Sequence, residues 1–90
     1  MQNSNNNREQ VLLGLLQSVE QDGRRSQRHM ASEFGVALGL INTYLKYCMR
    51  KGYVRVKRIP AGRYIYFLTP KGATIISLYP AEELPIANPY

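Results

Sequence analysis

Apolar residues recur every three or four positions through the first half of the chain and alternate with charged ones just after it. Val11, Leu12, Leu15, Leu16 and Val19 share one face of a helix predicted from about Arg8 to Gln21, and Asp22-Gly23 stops it. Ser26 has the chemistry of an N-cap for a second helix, Gln27 to Phe34, with Met30, Ala31 and Phe34 inward. Gly35 sits where that helix must end and the chain turn. Ile41, Tyr44, Leu45, Cys48 and Met49 form the inward stripe of a third helix, about Leu38 to Lys51, closed by Gly52. From Tyr53 to Ile59, Val54 and Val56 alternate with Arg55 and Lys57, which predicts a strand. Pro60 to Arg63 reads as a turn, and Tyr64 to Leu68 as a second strand whose apolar residues do not decide which face is buried. Thr69 and Pro70 suit the cap and first position of a last helix reaching about Leu78.

This order predicts an α+β fold: a three-helix core, a two-stranded hairpin and a short C-terminal helix. Residues 1–7 are polar and Asn-rich, and are expected to be disordered. Residues 8–79 are expected to form one domain, and 80–90, interrupted by Pro80, Pro85 and Pro89, a mobile tail. Ninety residues that are 44% hydrophobic can build a single core but leave no room for a deep substrate cleft.

Charge sharpens the picture. From Arg24 to Lys71 there are eleven cationic side chains and one acid, Glu33, a local balance of +10. The flanks carry −4, giving +6 for the whole chain. Such a concentration favours a polyanion, because binding releases condensed counterions from phosphates. A merely solvated basic surface would show the same counts.

Other chemistries find little support. Residues 1–90 hold no phosphate-cradling glycine loop, no acid cluster and no nucleophile with a base signature, so no enzymatic activity is expected. His29 is the only histidine and Cys48 the only cysteine, so neither a metal site nor an internal disulfide is expected, and Cys48 suits the core better than redox sensing. No cofactor or small-molecule ligand is evident. The opening residues lack the basic end and apolar run of an export signal, and no apolar stretch approaches membrane-spanning length. Together with the single thiol, this leads to the expectation of a cytoplasmic protein without a membrane partner.

The residues from Met30 to Val36, followed by Ile41, Tyr44 and Leu45, have the layout of two short helices joined by a tight turn. Ala31, Gly35, Ile41 and Leu45 match the small, turn and apolar positions of a helix-turn-helix. Gly52-Tyr53-Val54 resembles the step from a recognition helix into a wing. Leu68-Thr69-Pro70-Lys71-Gly72 is similar to the segment after the wing in MarR-type regulators. Over residues 10 to 78 the chain resembles a winged helix-turn-helix, in particular the abbreviated MarR-like proteins of bacterial regulatory settings.

That resemblance implies binding of double-stranded DNA in transcription regulation, usually by a dimer, with the third helix in the major groove and the wing tip near a minor groove. By position, Leu38, Gly39, Asn42, Thr43 and Lys46 would meet bases or nearby phosphates, and Asn42 has the geometry of an adenine reader. Arg24, Arg25, Gln27 and Arg28 around the second helix, Tyr47 and Arg50 on the third, and Lys57, Arg58 and Arg63 on the wing would hold the backbone. Three departures stand out. Ala37 occupies a position where a capping Ser or Thr is frequent, and no arginine lies in the first two turns of the third helix. The long flanking helices through which MarR-type proteins dimerise have no counterpart, leaving a homodimer through the first helix or the tail, or a monomer, as alternatives. A winged-helix module that docks protein without touching DNA is the competing function, and single-strand or RNA binding through the tyrosines a third.

Overall fold

The computed structural model describes residues 4–79, with side chains from Arg8 onward. Four helices and one hairpin follow in the order α1 (Ser4–Gln21), α2 (Gln27–Phe34), α3 (Leu38–Lys51), β1 (Val54–Ile59), a tight turn (Pro60–Gly62), β2 (Arg63–Leu68) and α4 (Pro70–Ser77). The expected fold class is the observed one. Helix α1 starts four residues earlier than the apolar spacing predicts, so Ser4 to Asn7 form its first turn where disorder was expected. A polar, Asn-rich opening has no apolar periodicity to reveal a helix. Residues 1–3 and the expected tail 80–90 lie outside the described residues.

Local chemistry sets the helix ends. The Ser26 hydroxyl accepts from the His29 N–H at 3.0 Å and caps α2. Gly35 closes it at φ 67°, a left-handed conformation that a Cβ would penalise, and this turn aims α3 across α2. Helix α3 has no side-chain cap: Ala37 takes the N-cap position and offers no acceptor. At the far end of the hairpin the Thr69 hydroxyl accepts from the Gly72 N–H at 3.0 Å. It also reaches the Gly52 carbonyl at 2.6 Å and the Tyr53 carbonyl at 3.0 Å, tying the start of α4 to the end of α3.

The core gathers Leu15, Leu16 and Val19 of α1, Met30 and Ala31 of α2, Ile41, Leu45 and Cys48 of α3, and Val54 and Tyr66 of the hairpin. Helix α1 is more central than one apolar face suggests. It packs on α2, β2 and α4, so Leu13, Gln17 and Ser18 are buried, whereas Val11 and Leu12 are only half-buried. Small Ala31 is buried on α2, which packs on α3. The strands pair antiparallel from Val54↔Leu68 to Ile59↔Arg63. Directly paired residues share a face, so Val54, Val56, Arg58, Tyr64, Tyr66 and Leu68 form one side of the hairpin. Only its base meets the core: Val54 and Tyr66 are buried, while Val56 and Tyr64 are exposed.

Candidate nucleic-acid interface

Three elements converge on a cleft of about 680 Å³: the capped start of α2, the uncapped start of α3, and the tip half of the hairpin. Arg24, Arg28 and Arg63 reach it from different elements, all exposed, with Leu38 and Ile59 on its walls. Its charge is therefore positive, and Arg24 has only an exposed 3.6 Å contact with Asp22 to offset it. The Asp22 carboxyl is held below its usual range, first by the Arg24 backbone N–H donating to it at 3.0 Å.

Two side chains expected to hold phosphates, Arg25 and Gln27, line the cleft and also have partners within the molecule. Arg25 donates to the hydroxyl of fully buried Ser18 at 3.0 Å and lies 3.7 Å from Glu33, bracing α1 against α2. Gln27 donates through Nε2 to the Tyr66 hydroxyl at 3.0 Å and accepts from Asn42 Nδ2 at 3.3 Å. This relay joins the hairpin, α2 and α3. It also half-buries Asn42 on the flank of α3 and engages the donor an adenine reader would use. Sequence spacing showed Asn42 off the core stripe but not that Gln27 would meet it across the turn.

The outward face of α3 is formed by Gly39, Thr43, Lys46 and Arg50, spaced three or four residues apart and all exposed. The Thr43 hydroxyl donates back to the Gly39 carbonyl at 3.0 Å. Thr43, Lys46, Tyr47 and Arg50 also line a second hollow of about 460 Å³ beside the start of α1, floored by Leu12 and Tyr44. The structure thus divides the expected residues. Arg24, Arg28, Leu38 and Arg63 surround the cleft, and the outward residues of α3 continue from it along the helix. On the hairpin, Lys57 shares a face with Arg63, whereas Arg58 lies on the opposite face with Tyr64.

This architecture has a counterpart in sequence. Residues 8–55, more than half of the chain, match the family model described as winged helix-turn-helix DNA-binding. The chain belongs to the winged helix-turn-helix DNA-binding family. Helices α2 and α3 are its helix-turn-helix, and β1 and β2 its wing.

Solved structures with the same winged helix-turn-helix arrangement include regulators of the MarR family. A MarR family transcription regulator superimposes with a TM-score of 0.66 at 20% identity, covering 74% of this chain and 46% of that one. The transcriptional regulator BldR from Sulfolobus solfataricus gives 0.66 at 23% identity, over 76% and 50% of the two chains. MepR from Staphylococcus aureus, solved in complex with DNA, gives 0.63 at 23% identity, over 79% and 52%. At such identities the likeness is one of fold, and this chain spans about half the length of those regulators. No curated protein matches its sequence. Among the described residues no helix is long and apolar enough to cross a membrane, and no three metal-ligating side chains cluster.

Within the wing, one feature escaped the sequence. Ala61 takes φ 70° beside Gly62, also at φ 70°, so the tip is held by two successive left-handed residues. An alanine gives no warning of that conformation.

Proposed function

We propose that this winged helix-turn-helix binds double-stranded DNA in transcription regulation, with the outward face of α3 in the major groove and the arginine-lined cleft over a phosphate backbone. The carrying observation is that cleft, where exposed cations from the α2 start and the wing flank the start of α3, which has no side-chain cap. An uncapped helix start beside arginines is a natural seat for a phosphate. Gly39, Thr43 and Lys46 are placed for base or groove contact, and Leu38 for a thymine methyl at the helix's edge. Arg50, and Tyr47 beside it, extend that surface along the backbone. Lys57, Arg58 and Arg63 on the wing reach backbone or minor groove, Arg58 from the opposite side to the other two.

Asn42 and Gln27 enter this reading as residues that position α3, and Arg25 as the brace beneath α2. The test is selection from a random duplex pool followed by two variants. Lys46→Ala relaxes the enriched sequence at one position, at a cost of about 1–3 kcal/mol for the preferred site. Arg63→Ala weakens all duplexes alike. No enrichment with wild-type protein, or identical effects of both changes on every sequence, argues against base readout by α3.

A protein-docking role has one observation in its favour: Tyr64 and Phe67 of β2 are each 48% exposed, on opposite faces of the wing. A stable protein complex formed through these rings, with no duplex retained, would favour that role.

A further inference from the structure

Beyond the cleft and the outward face of α3, the far end of α3 carries a second group of cations built onto aromatic rings. Tyr47 holds the Arg50 guanidinium 5.8 Å and the Lys51 ammonium 5.7 Å from its ring centre. Tyr53 meets Tyr47 edge-to-face, with ring centres 6.5 Å apart and planes at 69°. Above Tyr53 lies the Lys71 ammonium, 5.8 Å from that ring's centre. The rings are half-buried, and Arg50, Lys51 and Lys71 are exposed. The strip thus joins the last turn of α3, the step into β1 and the first turn of α4.

Helix support explains only part of it. Arg50 and Lys51 suit the negative end of the α3 dipole. Lys71 stands in the first turn of α4, where the dipole disfavours a cation. Among the described residues none of the three lies within 4 Å of a carboxylate, as the ion pairs there involve only Arg24 and Arg25. Three cations over rings, without an ion pair among the described residues, suit an anion outside the molecule, since a cation over a ring keeps N–H donors free for a phosphate. Arg50 belongs both to this strip and to the outward face of α3, so the two surfaces are continuous.

We propose that Lys51 and Lys71, held on the Tyr47–Tyr53 platform, bind backbone phosphates of duplex DNA beyond the segment met by α3 and the wing. This rests on the duplex-binding reading above and extends its footprint past the C-terminal end of the recognition helix. Because these contacts meet backbone, they add affinity without adding sequence preference.

The experiment compares the full chain with a Lys51→Gln/Lys71→Gln double variant and an Arg63→Gln variant. Binding of a duplex three helical turns long is measured by fluorescence anisotropy across a salt series, with thermal unfolding as the check on folding. Two lost phosphate contacts make the log–log salt slope shallower by about 2, at roughly 0.9 per contact, with the selected sequence unchanged. If Arg63→Gln flattens the slope and the double variant does not, the strip carries no phosphate and the duplex-binding reading stands. If the double variant loses single-stranded but not duplex binding, the strip serves another nucleic acid and the proposal is overturned. If wild-type protein binds no duplex, both readings fall together.

Discussion

Burial pushes the Cys48 thiol up to about 12, because a thiolate at that core position would lose its hydration without gaining a partner. The unfolded chain releases this proton near the ordinary thiol value, about 9, and the folded one does not. The folded state therefore binds more protons above that value, and the Cys48 contribution to stability falls as pH rises from about 9 toward 12. Native protein should resist thiol alkylation at mildly alkaline pH and react on unfolding, and Cys48→Ala should lessen the alkaline decline. Rapid alkylation of native protein would contradict the core placement. At the wing tip the expected sign is opposite to most substitutions. Ala61→Gly relieves a left-handed alanine worth about 1–2 kcal/mol, partly offset by the greater freedom of glycine when unfolded, so a small gain in melting temperature is expected. An unchanged or lower melting temperature would show that the tip conformation costs nothing.

Among the elements, the helices and the wing were legible because each carries a period and a punctuation mark. Ser26 and Thr69 have the chemistry of caps, and both hydroxyls accept the N–H that such a cap should. Gly35 and Gly52 end their helices in the left-handed conformation their positions suggested. Gly23 was legible only as a helix stop. The structure gives it a second task, since the Tyr66 N–H donates to the Gly23 carbonyl at 2.8 Å and β2 passes so close that a Cβ would strike the Tyr66 carbonyl. Gly23→Ala should therefore loosen the wing from α1 and lower stability by roughly 1–3 kcal/mol, the range for forced overpacking. Urea denaturation measures this, and wild-type stability in the variant would show the approach to be soft. The candidate site was less legible than the elements. Spacing can place Asn42 and Gln27 on helix faces, but their hydrogen bond spans fifteen positions and depends on how α2 crosses α3. Arg25 reads as one of a basic run, and only the fold brings Ser18 and Glu33 to it. Pairings across elements have no periodic signature.

At the scale of the whole molecule, the excess of positive charge from Arg24 to Lys71 is redistributed by folding. Arg25 is tied to Ser18 and Glu33 at the edge of one cleft, Arg24, Arg28 and Arg63 surround it, and Lys46 and Arg50 continue along α3. Folding thus converts a run of charge in sequence into a cationic cleft and a cationic helix face. The salt dependence of duplex binding by the full chain reads the charge of this surface. With at least four or so phosphate contacts, the log–log slope is expected to be steeper than about −3, at roughly 0.9 per contact. A flat slope, or no duplex binding at low salt, would contradict it.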